Sequence, residues 1–193
     1  MNYIIEHMEK KLYPWCLLEY EHISQIVGKE NLIFTNLTKS QAEKLKRFGT
    51  CYTESISKLT LHELHEKFEQ ICVLDPEAVE QLKPSDAKKF KHLLFGGILG
   101  DNPPRKRTQE ELILEGIERR NIGKEQFPTD NAVYVCKKII EGVPLENLRF
   151  QDEVEIEIAE EESVILPFRY VLVDGKPLIC DALMKHLKTN KGF

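Results

Sequence analysis

Four short runs of branched and aromatic residues recur along the chain: Tyr3-Ile4-Ile5-Glu6, Asn31-Leu32-Ile33-Phe34-Thr35, Ile71-Cys72-Val73-Leu74 and Leu93-Leu94-Phe95. Segments of helical period separate them. Strands this short and this apolar are buried on both faces, a condition met in sheets of parallel strands whose crossovers are helices. The alternation therefore predicts an α/β fold, a mainly parallel sheet with helices on both faces. Residues 1–193 are expected to form a single domain, because a chain of this length supports one full hydrophobic core.

The crossovers carry their own punctuation. Pro14 opens a helix to Val27 with Trp15, Leu18, His22 and Ile26 on one stripe, and Gly28 supplies the stop. Thr38 with Gln41 three residues on is a capping box for a helix to Phe48. The stretch 50–68 is ambiguous, with a short strand at Cys51-Tyr52 and a helix from Thr60 or Leu61 to Phe68. His62 and His65 on that helix lack a third ligand at metal spacing and read as ordinary solvated or half-buried histidines. A short helix over 84–90 precedes the fourth strand, and Thr108 with an acidic first turn predicts a helix to Ile117. Thr129 or Asp130 is expected to cap a helix that places Ala132, Val133, Cys136, Ile139 and Ile140 on one side.

Two loops interrupt this regular pattern. The first, residues 95–105, has three glycines, Asp101 and the pair Pro103-Pro104 after a core strand; it is either an ordinary turn or a loop whose backbone approaches a ligand. It matches neither a phosphate-binding nor a dinucleotide fingerprint. The second, residues 119–130, is polar and contains Gly123. Asp75 and Pro76 end the third strand, and carboxyl strand ends collect ligands in open parallel sheets.

The C-terminal quarter reads differently. Residues 152–162 alternate acidic and apolar side chains, as in a half-buried strand whose wet face is acidic, the alternative being a dedicated site for a basic peptide. Residues 165–173 form another strand, Asp174-Gly175-Lys176-Pro177 a turn, and 178–187 a closing helix. With 32 acidic against 27 basic residues, the net charge of -5 disfavours a binder of duplex phosphates and suits a basic partner. No apolar run reaches the ~20 residues of a membrane span. The first residues lack a secretory pattern and the five cysteines are scattered singly, so a cytoplasmic location with reduced thiols and no metal site is expected.

The N-terminal Tyr3-Ile4-Ile5-Glu6-His7-Met8-Glu9, the loop Phe95-Gly96-Gly97-Ile98-Leu99-Gly100-Asp101-Asn102-Pro103-Pro104-Arg105, the segment Gln126-Phe127-Pro128-Thr129-Asp130 and Leu166-Pro167-Phe168-Arg169-Tyr170-Val171 together resemble the SPOUT-class methyltransferases. Within that class the likeness is to the fungal arginine methyltransferases that modify ribosomal protein S3. The resemblance implies a C-terminal trefoil knot and S-adenosyl-L-methionine as methyl donor. It places the donor on Leu74, Asp75, Phe95, Gly96, Gly97, Gly100, Ile122, Gly123, Gln126, Phe127 and Thr129. The implied partner is a basic ribosomal protein, and the monomer is the favoured state. An arginine substrate needs carboxylates to orient its guanidinium and help it lose a proton. Glu19 and Asp101 are expected in that role, with Glu6 or Asp130 supporting; Asp130 as a plain helix cap and Glu19 paired with a lysine are the structural alternatives. An RNA methyltransferase is the second functional expectation, with Arg105, Lys106, Arg107, Arg119 and Arg120 facing phosphates. A third is a non-catalytic ribosome-binding module.

Overall fold

A computed structural model describes residues 1–62, 70–100, 106–159 and 162–190; of residues 60–62 and 190 it describes the backbone only. Six strands form one wholly parallel sheet: β1 (Asn2–His7), β2 (Leu32–Thr35), β3 (Thr50–Cys51), β4 (Ile71–Leu74), β5 (His92–Gly97) and β6 (Glu118–Arg120). Their order is β3-β2-β1-β5-β4-β6. The two central strands, β1 and β5, pair from Asn2 with His92 to His7 with Gly97. Their carboxyl ends therefore lie side by side.

The period of two decides which core each side chain enters. Tyr3, Ile5, Cys72, Leu74, Leu93 and Phe95 face one side, where α1 (Pro14–Val27), α2 (Lys39–Leu45) and α5 (Thr129–Ile140) pack. Ile4, Ile71, Val73 and Leu94 face the other, covered by Ile56 of α3 (Ile56–His62) and by Leu112, Leu114 and Ile117. The remaining strands, β7 (Phe150–Ala159), β8 (Glu162–Val173) and β9 (Lys176–Pro177), make a separate antiparallel sheet. Val154 and Ile156 turn inward while Glu155 and Glu157 face solvent. A third core joins this sheet to α6 (Asp181–Asn190) and to Trp15 and Leu18 of α1.

Several elements depart from the sequence expectation. Residues 118–120 are the edge strand of the parallel sheet, not loop. Arg120, only 6% exposed, is tolerated there because Glu118, Glu80 and Asp86 surround it and Phe90 lies beneath its guanidinium. The helix after the glycine loop, α4 (Arg107–Glu111), stops six residues short of Ile117, and Thr108 lies inside it rather than capping it. α2 keeps its Thr38–Gln41 capping box but ends at Leu45. Neither Thr129 nor Asp130 caps α5: Pro128 holds that position and Thr129 is the first helical residue. On α1 the fully buried face is Cys16, Glu19, Tyr20, Ile23 and Val27, beside the stripe of Trp15, Leu18, His22 and Ile26. His65 lies outside the described residues.

Candidate active site

The carboxyl ends of β4 and β5 open into a cleft of about 280 Å³. Leu74 and Phe95 are its strand-end walls, Ile122, Gly123, Gln126 and Phe127 come from the loop before α5, and Thr129 and Ala132 from the helix itself. Phe127 is held edge-on against Phe150 at 5.6 Å between ring centres. Asp75 also borders the cleft, but both of its oxygens are engaged: Oδ1 accepts the Glu77 N–H at 2.9 Å, and Oδ2 pairs with Arg119 at 2.7 Å. Across the mouth, Lys106 pairs with Glu77 at 2.5 Å. Glu9 Oε1 accepts both the Leu99 N–H and the Arg107 guanidinium, so it ties the chain together on either side of residues 101–105.

Nine of the eleven residues that the SPOUT resemblance places around a methyl donor line this cleft: Leu74, Asp75, Phe95, Gly96, Ile122, Gly123, Gln126, Phe127 and Thr129. Gly97 and Gly100 do not. A Cβ on Gly97 would collide with the Tyr20 hydroxyl and come within 2.9 Å of Ile5 Cγ2, so this glycine lets α1 settle on the sheet. A Cβ on Gly100 would run into Gln126 Nε2 and reach 2.5 Å from Phe168 Cε1. Gly100 and Phe168, with Trp15 and Leu99, line a second and mostly apolar cavity of about 270 Å³. Gln126 belongs to the first cleft, so the two cavities share a wall at the Gly100–Gln126 contact.

The four expected acids go to three places. Glu19, 6% exposed, accepts the Trp15 indole N–H at 2.7 Å. Burial pushes its carboxyl up to about 8, the neighbouring Asp130 pushes in the same direction, and hydrogen bonds from Trp15 and from the Thr129 hydroxyl and backbone oppose both. Among the described residues no lysine pairs with it. Asp130, 2% exposed, accepts from His22 Nδ1 at 2.7 Å and from both nitrogens of Asn131, at 2.7 and 3.0 Å. Glu6 is on the opposite face of the sheet, accepting the Thr35 hydroxyl and, at 3.0 Å, the Ile56 N–H that starts α3. Burial raises its pKa, against those two hydrogen bonds. The structure thus brings Glu19 and Asp130 together and leaves Glu6 apart in a structural role; Asp101 lies outside the described residues.

Two further residues near these acids were not singled out as site residues in the sequence. Tyr170 on β8 is 1% exposed, and its hydroxyl has no hydrogen-bond partner among the described residues. Burial and the charges of Asp130 and Glu19 all raise its pKa, which keeps it a neutral phenol. Asn131 fixes its strand: the side chain accepts the Val171 N–H at 3.0 Å and donates to the Leu178 carbonyl at 2.9 Å. Only the pairing of positions distant in sequence reveals either residue.

The basic residues expected to face phosphates are spoken for. Lys106 pairs with Glu77, Arg107 with Glu9 and Glu111, Arg119 with Asp75, and Arg120 with Glu118, Glu80 and Asp86. Arg105 lies outside the described residues. Among the described residues no three His, Cys, Asp or Glu side chains cluster as a metal site, and no helix is long and apolar enough to cross a membrane.

Known proteins share this architecture. The crystal structure of the yeast arginine methyltransferase SFM1 complexed with SAM superposes with a TM-score of 0.87 at 35% identity, covering 98% of this chain and 90% of that one. A dual specific Trm10 from Thermococcus kodakaraensis, 21% identical, gives a TM-score of 0.58 over 75% of this chain and 95% of its own, a likeness of fold. In sequence, the protein arginine N-methyltransferase SFM1 of Saccharomyces cerevisiae is 37% identical over 209 aligned positions, spanning 97% of this chain and 94% of the yeast protein. The family model described as protein arginine N-methyltransferase SFM1-like matches residues 2–192, and the chain belongs to that family.

Proposed function

We propose that this protein is an S-adenosylmethionine-dependent arginine N-methyltransferase acting on a ribosomal protein of the S3 kind. The observation that carries this reading is Thr129, which lines the cleft at the strand ends and is followed directly by Asp130, so that a ligand-sized space adjoins the buried acids Asp130 and Glu19. The cleft suits the donor. Its volume is near the lower end of small-molecule sites, about 300 Å³. Leu74, Phe95, Ile122 and Phe127 offer flat apolar walls, and the strand ends leave backbone groups for a polar ligand.

When bound, the donor supplies a methyl on a sulfonium; the substrate nitrogen bonds to that carbon as the sulfur keeps the electrons of the broken C–S bond, and one N–H proton is released. The chain's task is to hold the guanidinium in line and accept that proton, since alignment alone supplies a large share of the barrier reduction. Both tasks are assigned to Glu19, and Asp130 keeps it basic by disfavouring a second negative charge nearby. Asp101, outside the described residues, keeps in this proposal the guanidinium-orienting role that the family resemblance implies. The ion pairing of Lys106, Arg107, Arg119 and Arg120 favours a cationic protein substrate over RNA. The same proposal includes a trefoil-knotted path, a cytoplasmic location suited to five free thiols, and a monomer, whose described exposed large apolar residues, Tyr13, Val79, Ile113 and Ile165, are few.

The test is transfer of tritiated methyl from the donor into fractionated ribosomal proteins and ribosomal RNA. Label in arginine of a protein fraction supports the reading, and label in RNA alone overturns it. Sedimentation of the purified chain as a dimer would refute the monomer, a map tracing residues 100–129 outside any loop would refute the knot, and an organelle-restricted fluorescent fusion would refute the location.

A further inference from the structure

The segment Leu166-Pro167-Phe168-Arg169-Tyr170-Val171, singled out in the sequence, lines no part of the donor cleft. It reaches the cleft through Arg169. This side chain forks onto Asp152 of β7, Nε to Oδ1 at 2.6 Å and Nη2 to Oδ2 at 2.8 Å, while its third nitrogen, Nη1, meets Glu125 Oε2 at 2.9 Å. The Arg169 backbone N–H donates to the Gln126 carbonyl at 2.8 Å. Beneath the guanidinium, 5.6 Å away, is the ring of Phe150, the same ring that holds Phe127 edge-on. Glu125, Gln126 and Phe127 are consecutive residues of the cleft wall, so one residue of the antiparallel sheet holds three neighbours in a site built on the other sheet.

The two strands are shaped for this contact. Asp152 pairs with Arg169 but Val154 with Leu166, so β8 has one residue more than β7 between the two pairs, and the intervening Glu153 takes a φ of 55°. Irregularities of this kind re-aim side chains. Here Phe168 goes to the second cavity and Arg169 to residues 125 and 126. Residues 122–128 belong to no helix or strand, so the shape of this wall depends on what ties it down. A single exposed ion pair would do little, because water competes for both charges; a bidentate fork shared with a second carboxylate and an aromatic ring is a stronger geometry.

We propose that Arg169 is a positioning residue for the methyl donor: by holding Glu125, Gln126 and, through Phe150, Phe127, it keeps this wall of the cleft in its binding shape before the donor arrives. The proposal rests on the donor occupying that cleft. A wall held in the competent shape binds with its intrinsic affinity, whereas one that visits this shape a fraction of the time loses affinity by that fraction.

Side-chain variants isolate the clasp, since the backbone bond to Gln126 does not need the guanidinium. Arg169→Gln and Glu125→Gln are each expected to weaken S-adenosylhomocysteine binding, measured by calorimetry, by about fivefold or more, with Arg169→Lys in between because an ammonium cannot fork onto both carboxylates. The double variant loses about as much as Arg169→Gln alone, as two members of one contact do. In steady state, KM for the donor rises by a similar factor and kcat at saturating donor stays within about threefold. Hydrogen exchange of the ligand-free protein reads the wall directly. The amide at position 169, bonded to Gln126, and that of Gly123, bonded to Asn121, exchange about fivefold faster or more in Arg169→Gln, while the paired amides of β7 and β8 beyond Val154 and Leu166 keep their protection. Wild-type affinity in both Arg169→Gln and Glu125→Gln, unchanged exchange at those two amides, or exchange raised throughout the β7–β8 hairpin, which would make Arg169 a residue of general packing, each overturns the proposal. A wild-type chain that does not bind S-adenosylhomocysteine, or binds it no better than Phe127→Ala, refutes the placement of the donor instead, which separates the two failures.

Discussion

His22 Nδ1 lies 2.7 Å from Asp130 Oδ2, joining the middle of α1 to the first turn of α5 across 108 residues of sequence. The same carboxylate holds both nitrogens of Asn131 and thereby the strand that carries Tyr170. Asp130→Ala leaves these buried donors without an acceptor and is expected to cost about 1–3 kcal/mol, read from the midpoint shift in urea. An unchanged midpoint would remove the pair from the account of how α1 and α5 are fixed.

The pH dependence follows from Glu19. Its carboxyl is raised from 4.5 to about 8, first by burial and then by Asp130, with Trp15 and Thr129 opposing. The carboxylate is the active form, so kcat/KM is expected to rise with pH up to about 8, and Asp130→Asn moves that rise to lower pH. Stability runs the other way. The native state holds a proton that the unfolded chain has lost, so this group's contribution is full below 4.5 and disappears as pH climbs through about 8. His22, through Asp130, and Tyr170 are the other titratable groups facing the site, and Glu19→Gln should flatten this limb in thermal melts taken across the range.

Donor binding is expected to depend on Phe127 more than on any charge in the cleft. Phe127→Ala removes an apolar wall worth about 1.5–3 kcal/mol when covered, a loss of roughly ten- to a hundredfold in S-adenosylhomocysteine affinity by calorimetry. Wild-type affinity would move the donor elsewhere.

Glu6 provides the contrast. Because it faces the other side of the sheet and serves Thr35 and Ile56, Glu6→Gln is expected to keep kcat within about threefold while lowering stability by about 1 kcal/mol. A hundredfold loss of turnover with an intact melting curve would return Glu6 to the catalytic set.

Gly97→Ala tests the packing of α1. The added methyl meets the Tyr20 hydroxyl and Ile5, so a cost of about 1–3 kcal/mol is expected, with weakened methyl transfer as α1 carries Trp15 and Glu19 away from the cleft. Full stability would show that the helix can ride outward freely.

Four of the six parallel strands and the Thr38–Gln41 capping box were legible in the sequence, because each depends on residues within a few positions of one another; the expected turn over 174–177 was legible only at Asp174-Gly175, since Lys176-Pro177 pairs with β8 as β9. β3 was half legible at Cys51. β6 was not, since Glu118-Arg119-Arg120 has the composition of a loop and becomes a strand only where Asp75, Glu80 and Asp86 neutralise its arginines. Nine of the eleven residues that the family resemblance singled out line one cleft, while Gly97 and Gly100 serve packing and a shared wall.

By itself, then, the sequence determined the alternation of strand and helix, the two loops at strand ends and the acidic outer face of β7, all consequences of short-range period and turn chemistry. Tertiary structure alone decided the strand order, the separation of Glu6 from Glu19 by a layer of sheet, and the meeting of Trp15, Glu19, Asp130 and Tyr170. The reason is physical: which buried carboxylate finds a donor, and which hydroxyl finds none, is settled by packing between elements more than a hundred residues apart, and no local pattern encodes that distance.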